Sequence, residues 1–159
     1  MNSKAVKNRL SNEEMDAFLE SACIPLRIAC NDHSGFPLIV SVWFYYLEGK
    51  FWCASHSSAH LVKSLRSYPK VGFEVATNDP PYLGVRGYGL ATVDSLKGEE
   101  VLCALLKRYG IREESALARW LKSRSDSEVA VCISPKRITS WDYRKRMSGS
   151  YAAQGSDRC

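Results

Sequence analysis

The sequence predicts a mainly β fold: a six-stranded antiparallel β-barrel with helices packed on its outside. Six stretches of the chain are apolar at alternate positions or throughout, which is typical of strands, and amphipathic helices are few. Short turns join the first three stretches, which indicates an antiparallel meander. The longest stretch, residues 37–47, is apolar on both faces and suits a barrel strand whose outer face is covered by a helix or a partner subunit.

The chain begins with a basic arm over residues 1–10, and the first helix follows it. Ser11 and Glu14 have the spacing of a capping box, in which each side chain bonds the backbone amide of the other residue. Apolar residues then recur at helical spacing from Met15 to Ala22, so one face of this helix is apolar.

The first three strands follow one another closely. Apolar and other residues alternate between Ile24 and Cys30, which predicts a half-buried strand. The turn-forming residues 31–35 lead into the long strand 37–47. A tight hairpin at 48–50 then returns the chain along residues 51–55.

A short helix and the fourth strand come next. Ser57 or Ser58 is expected to cap a helix that runs to Tyr68, where a following proline stops it. Alternating apolar residues over 71–75 predict the fourth strand. The fifth strand is predicted over 85–94, where two glycines suggest close approach by another backbone or by a ligand.

Two helices separate the fifth strand from the sixth. The first spans 99–109 and ends at a glycine, and the second spans 113–122, where Trp120 is expected to pack in the interior. Alternation over 129–133 predicts the sixth strand, and residues 138–141 could pair as an edge. We assign residues 11–141 to the barrel domain and residues 142–159 to a flexible C-terminal tail.

Length and charge restrict the possible functions. The chain has 159 residues and a mass of 17.8 kDa, which fits one domain. Its net charge of +5 comes from the two ends, because residues 1–10 carry +3 and residues 136–159 carry +4, while residues 11–135 carry −2. A nucleic-acid binder needs a basic face on the folded body, so this alternative is weakened.

No apolar run is long enough to span a membrane, and we expect no signal peptide, because residues 1–10 are polar and basic and no apolar segment follows them. The six cysteines are scattered and form no Cys-x-x-Cys pair, so we expect free, inert thiols in a reducing cytoplasm.

Several segments resemble the pyridoxamine 5′-phosphate oxidase-like family. They are residues 35–46 (GFPLIVSVWFYY), 49–52 (GKFW), 57–71 (which include SSAH, LR and PKV) and 79–89 (DPPYLGVRGYG). The resemblance covers Ala22 to Asp94 and, more loosely, Val129 to Trp141. It implies the flavin-binding split-barrel fold, a homodimer, and flavin mononucleotide (FMN) in a cleft between the subunits.

The resemblance also implies where the cofactor lies. The strand 40–44 runs along the isoalloxazine ring, and the turn into the helix 57–63 holds the phosphate. Free amides and hydroxyls at such a turn suit an anion, and His60 or Lys63 would complete the phosphate clamp. The cofactor-binding residues expected on this basis are Ser41, Val42, Trp43, Ser55, Ser57, Ser58, His60, Lys63 and Trp141.

This sequence departs from the family at three places. His60 stands where many members carry lysine, the strand 40–44 has neither arginine nor lysine, and the C-terminal Arg-Leu-x-Pro motif is missing, although Trp141 and Arg144 stand near that region. Oxidation of vitamin B6 is therefore not expected. We expect instead a flavin-dependent oxidoreductase acting on another small molecule.

Several of these residues also have a purely structural interpretation. His60 and Lys63 could be solvated helix residues, Trp43 could pack in the core or at a dimer interface, and Arg86 could pair with Glu74 rather than face a ligand. No metal site is predicted at Cys53, His56 and His60, because His56 precedes the helix and cannot share its face.

The catalytic residues stay unknown, because no acid–base or nucleophile–base pair is visible in the sequence. Flavin chemistry needs none, since the cofactor carries it. The alternatives are a non-catalytic flavin- or haem-binding module, with His33, His56 or His60 as the axial ligand, and a deazaflavin-dependent reductase.

Overall fold

The computed structural model describes residues 8–150 and confirms a mainly β fold with peripheral helices. Residues 1–7 of the predicted arm and 151–159 of the predicted tail lie outside the described residues. The strands are β1 (Leu26–Asn31), β2 (Pro37–Val42), β3 (Tyr45–Leu47), β4 (Lys50–His56), β5 (Lys70–Ala76), β6 (Leu83–Asp94) and β7 (Glu128–Asp142). The helices are α1 (Asn12–Ser21), α2 (His60–Ser67), α3 (Gly98–Arg108), α4 (Ala116–Lys122) and α5 (Arg144–Met147).

The seven strands form one antiparallel sheet in the order β2-β1-β5-β6-β7-β4-β3. β2 and β3 are the two edges of this sheet, yet only Trp43 and Phe44 separate them along the chain. The sheet must therefore curl until its edges meet, which produces a split barrel. The seventh strand arises because the predicted strand 37–47 breaks at this bend, where Phe44 turns fully into the core.

The expectation that residues 37–47 are buried on both faces is wrong for the single chain. Residues along β2 alternate between half-buried and exposed, and the half-buried ones pack against the core. Ile39 on the other face is 69% exposed. None of the described helices covers this outer face.

The barrel interior is filled by side chains from strands and helices on both sides. Phe51 lies between Phe44 and Phe73, with ring centroids 5.7 and 4.8 Å away. Leu19 of α1 and Leu65 of α2 are buried in the same core. The two helices thus contribute their apolar faces to the barrel, which is what stabilises such short helices.

The predicted capping box of α1 is confirmed. The Ser11 amide donates to the Glu14 carboxylate at 2.7 Å, and the Glu14 amide donates to the Ser11 hydroxyl at 3.2 Å. The predicted serine cap of α2 is wrong, because Ala59 is the N-cap and provides no side-chain bond. The Ser58 hydroxyl is instead engaged with His56 Nδ1 at 2.8 Å.

The two glycines of β6 confirm the predicted close approach, and the partner is the backbone of β7. A Cβ on Gly87 would overlap the Arg137 carbonyl, and one on Gly89 would overlap the Ser134 carbonyl. Residues 138–141 continue β7 and pair with β6 on one side, while β4 pairs only with residues 128–133 of β7, so the expected edge pairing of residues 138–141 is confirmed. A β-bulge in this pairing accommodates the proline that interrupts β7.

Two surface expectations are corrected. Trp120 is 55% exposed rather than interior, with the Arg124 guanidinium 4.2 Å from its ring centroid. Glu74 forms its ion pair with Arg27 at 3.6 Å, and Arg86 lies over the Trp141 ring.

The cysteines are only partly buried as a group. Cys30, Cys53 and Cys132 are buried as expected, whereas Cys23 and Cys103 are exposed.

The first residues of the predicted tail are ordered against the barrel. Arg144 bonds both oxygens of Asp142, and the Tyr143 amide donates to the Tyr82 carbonyl. Among residues 8–150, no helix has the length and hydropathy that crossing a membrane requires.

Candidate functional site

A cleft of about 500 Å³ lies where the ends of β2 and β4 meet the helices α3 and α4. Apolar side chains form most of its wall, and polar groups gather at one side. Its lining includes Ser41, Val42, Trp43, Ala54, Ser55, His56, Ala59, Leu102, Leu105, Leu117, Leu121, Arg124 and Glu128. Four of the predicted cofactor-binding residues, from two separate segments of the chain, therefore meet in one cleft. This combination of apolar wall and few polar groups is typical of small-molecule sites.

Trp43 is held in a fixed orientation at the wall of the cleft. Its ring stacks on Tyr109, with centroids 4.9 Å apart and planes inclined by 18°. The Tyr109 hydroxyl accepts a hydrogen bond from the Phe44 amide at 3.3 Å and donates to the Ile24 carbonyl at 3.1 Å. Burial raises the pKa of Tyr109, so the hydroxyl stays protonated at neutral pH. Trp43 thus packs against its own chain and lines the cleft at the same time.

An ion pair that the sequence analysis did not single out stands at the polar side of the cleft. Glu128 is buried, and its Oε1 accepts bonds from Arg124 Nε at 3.1 Å and Nη2 at 2.8 Å. In the sequence, this ion pair is indicated by two opposite charges that are four residues apart. The pair places one guanidinium at a defined position in a cleft that is otherwise mostly apolar.

The start of α2 borders the cleft through Ala59. The backbone amides of His60, Leu61 and Val62 have no hydrogen-bond partner among residues 8–150, and no side chain caps the helix. Unpaired amides at a helix N-terminus attract anions. This end of the cleft therefore has the groups that a phosphate requires.

The other predicted residues at this turn flank the cleft without lining it. The Ser57 amide donates to the Ser127 carbonyl at 2.7 Å, and the Ser58 amide and hydroxyl both engage His56 Nδ1. Lys63 is exposed on the first turn of α2. The ring of His60 lies toward His33, with 6.2 Å between centroids.

Trp141 does not line the cleft of its own chain. It pairs with Gly84 on β6, and its ring fills the space where a Gly84 side chain would stand. It lies 13 residues beyond Glu128 on β7, which is about 40 Å along the strand. A role for Trp141 in the same cleft would require a second copy of the chain.

The buried thiols near the cleft are not reactive groups. Burial raises the pKa of Cys53 far above its ordinary value, and burial also raises the pKa of Cys132. A thiolate is the reactive form of cysteine, so neither residue is a nucleophile at neutral pH. The cleft therefore offers binding and orientation, with one fixed cation and no activated nucleophile among these groups.

Comparison with known proteins identifies relatives by structure alone. No protein-family model matches the sequence, and no curated protein matches it either. A conserved hypothetical protein of Mycobacterium tuberculosis has a similar structure, with a TM-score of 0.78 and 21% identity over 98% of this chain and 99% of that one.

Two further structures that resemble this chain carry functional names. One is an F420 reductase, with a TM-score of 0.61 and 19% identity over 76% of this chain and 92% of that one. The other is a putative pyridoxamine 5′-phosphate oxidase from Listeria innocua, with a TM-score of 0.61 and 18% identity over 80% and 95%. The resemblance seen in the sequence is thus confirmed at the level of the fold: the chain has the split-barrel fold of the pyridoxamine 5′-phosphate oxidase-like proteins.

Proposed function

We propose that this chain binds FMN in the cleft between β2, β4, α3 and α4, and that it serves as a flavin-dependent oxidoreductase for a small molecule. The observation that carries the proposal is the convergence of Ser41, Val42, Trp43 and Ser55 on one mostly apolar cleft. These are residues that the family resemblance implies for the cofactor. The pyridoxamine 5′-phosphate oxidase-like fold and the likeness to an F420 reductase support a flavin-type ligand.

The cleft suits the two halves of such a ligand. Its volume of about 500 Å³ lies within the range of small-molecule sites, and leucines from α3 and α4 offer flat apolar contact to a ring. At the other end, the free amides of α2 suit the phosphate, with Lys63 as an adjacent cation. Bound FMN would supply hydride transfer, while these residues would hold and orient it and keep water from the ring.

Arg124 is placed to contact the substrate or the flavin ring. Its guanidinium is permanently charged and is fixed by Glu128 at the polar side of the cleft. Because Glu128 lines the same side and balances this charge, the pair offers hydrogen-bond donors, namely the guanidinium N–H groups that do not bond Glu128, rather than a net positive charge. We therefore propose that a hydrogen-bond acceptor of the ligand lies on this side.

A deazaflavin is the second candidate ligand. The strand 40–44 lacks the cationic residues found in pyridoxamine 5′-phosphate oxidases, and one structural neighbour is an F420 reductase. Both ligands share a flat ring and a phosphate, so the same cleft and the same α2 amides would receive them.

We also propose that the chain is a homodimer. The outer face of β2, β1, β5 and β6 carries grooves of about 580 and 700 Å³, and exposed apolar side chains border them. Ile39 is 69% and Tyr88 is 55% exposed on this face. A second copy would cover these groups, and it is the source from which Trp141 would reach a cleft, as the resemblance implies for this family.

Ligand titration tests the proposed function. Purified protein is titrated separately with FMN, F420 and hemin, and absorbance and tryptophan fluorescence are recorded. We expect saturable FMN binding that Trp43→Leu weakens about tenfold or more, while the control Tyr68→Leu, an exposed aromatic residue at the end of α2 outside the cleft lining, binds as the wild type does. Protein that binds FMN no better than it binds hemin would overturn the proposal, and a preference for F420 would favour the deazaflavin.

Sedimentation tests the dimer independently. We expect a dimer for the wild type and a monomer for Ile39→Lys, because a buried lysine without a partner is costly. Trp141→Leu should weaken FMN binding although Trp141 lies outside the cleft of its own chain. Wild-type FMN affinity in Trp141→Leu would contradict the contribution from the second copy without affecting the assignment of Trp43.

The cytoplasm is the compartment that we propose. The five cysteines within residues 8–150 are all free, including the exposed Cys23 and Cys103. Exposed free thiols persist in a reducing compartment, which supports this assignment.

A further inference from the structure

We propose that Asp32, His33 and His60 form a binding site for a divalent transition-metal ion such as Zn²⁺, beside the start of α2 and outside the lining of the cleft. Asp32 and His33 lie in the turn between β1 and β2, and His60 is the first residue of α2. One ligand atom from each of the three side chains lies within 4.8 Å of the other two. The fold thus brings together three metal-ligating side chains from segments that are 27 residues apart in the chain.

The carboxylate of Asp32 is held in place by its own turn. Its Oδ1 accepts bonds from the Ser34 amide at 2.8 Å and from the Phe36 amide at 2.9 Å. Among residues 8–150, no donor engages its other oxygen. A ligating carboxylate is commonly oriented by such hydrogen bonds to the oxygen that does not bind the metal, so the turn already provides this support.

The two imidazoles complete a set of ligands that suits zinc. Their ring centroids are 6.2 Å apart, and the planes are inclined by 58°. Both rings are exposed, so small rotations can bring the nitrogens from the present spacing to the roughly 3.3 Å that separates ligands around a tetrahedral Zn²⁺. Two histidines and one carboxylate leave a fourth position for water or for an exchangeable ligand.

The local charges limit the strength of the site. His60 stands at the N-terminus of α2, where the helix dipole disfavours a cation, and Lys63 lies one turn away. The negative charge of Asp32 offsets this effect. We therefore expect an exposed, exchangeable site rather than one that holds its ion through purification.

Metal titration of the full chain, prepared without a polyhistidine tag, tests the site. Calorimetry with Zn²⁺ should give one site per chain, weakened about tenfold or more in His33→Ala and in His60→Ala. Asp32→Asn should weaken it as well, while its amide oxygen can still accept the bonds of the turn. The matched control is His56→Ala, which removes the histidine outside the cluster and should bind Zn²⁺ as the wild type does.

The visible absorption of Co²⁺ provides a second measurement, because Co²⁺ that associates loosely with the surface would not give the bands of an ordered site. Co²⁺ should give the visible absorption bands of an ordered four-coordinate site in the wild type and in His56→Ala, and lose them in His33→Ala. Absence of a one-to-one Zn²⁺ isotherm, or equal loss of binding in His56→Ala, would overturn the proposal. Because His33 is outside the cleft, His33→Ala should leave FMN binding unchanged, so failure of this site and failure of the proposed function give different results.

Discussion

Trp43 stacks on Tyr109 with ring centroids 4.9 Å apart, and this contact joins the bend between the two edge strands to the C-terminal end of α3. The hydroxyl of Tyr109 bonds Phe44 at this bend and Ile24 just before β1. Tyr109 therefore links the bend to the start of β1 and also supports the wall of the cleft. Stability and ligand binding should both fall when this contact is removed.

Substitution of Tyr109 separates the stack from the hydrogen bonds. Tyr109→Phe keeps the ring, and we expect it to lower the free energy of unfolding by about 1–2 kcal/mol with FMN affinity within about threefold of wild type. Tyr109→Ala removes the ring as well and should cost about 3 kcal/mol, with a much larger loss of FMN affinity. Urea unfolding and FMN titration measure both effects. Equal loss of FMN affinity in the two variants would show that the hydroxyl, rather than the stack, orients Trp43.

Replacing Arg124 and replacing Glu128 should lower the free energy of unfolding by different amounts. Glu128 is 4% exposed, whereas the Arg124 side chain is about one-third exposed. Arg124→Met leaves a buried carboxylate without its partner, so we expect a loss of about 3 kcal/mol in unfolding free energy. Glu128→Gln lets the guanidinium turn to water and should cost less than half as much. Urea unfolding of both variants at neutral pH tests this order, and the reverse order would contradict it.

Two glycines on neighbouring strands should differ in their tolerance of a methyl group. A Cβ on Gly87 would overlap the Arg137 carbonyl and lie 2.7 Å from the Phe73 ring, so Gly87→Ala should lower the unfolding free energy by about 1–3 kcal/mol or more. A Cβ on Gly72 would meet its nearest atom at 3.7 Å, so Gly72→Ala should change it by less than about 1 kcal/mol. Both unfolding free energies are measured in proteins that also carry Ile39→Lys, so that subunit association does not affect the comparison. Similar losses in the two variants would be inconsistent with the close approach of β7 to Gly87.

The phenol of Tyr46 should make stability depend on pH in the alkaline range. Burial, together with the hydrogen bond donated to Asp16, raises the pKa of Tyr46 to about 12, against an ordinary value near 10. Because the folded state favours the protonated phenol, its stabilising contribution is complete below about pH 10 and is lost as pH rises toward 12. Tyr46→Phe should therefore reduce the fall in unfolding free energy between about pH 9 and pH 11.5. An unchanged pH dependence in this variant would show that Tyr46 titrates normally.

Local patterns in the sequence predicted the parts of the fold that depend on local physics. The capping box of Ser11 and Glu14 needs only four consecutive residues, and the buried alternation of β5 needs only one covered face. The broken strand at Trp43 and the exposed Trp120 were not predictable in this way. An apolar residue at a bend looks the same in the sequence as one within a strand, and the helical spacing of Trp120 does not say whether a neighbouring element covers it.

By itself, the sequence determined the fold class and the order of most elements, because alternation, caps and turn residues act over short distances. The tertiary structure alone decided that β2 and β3 become the two edges of a curled sheet, since pairing between distant strands depends on the packing of the whole core. It also decided that Arg124 and Glu128 stand in the cleft, that Trp141 lies far from it, and that Asp32, His33 and His60 meet. These positions depend on contacts between segments that are remote in the chain, and local sequence patterns do not predict such contacts.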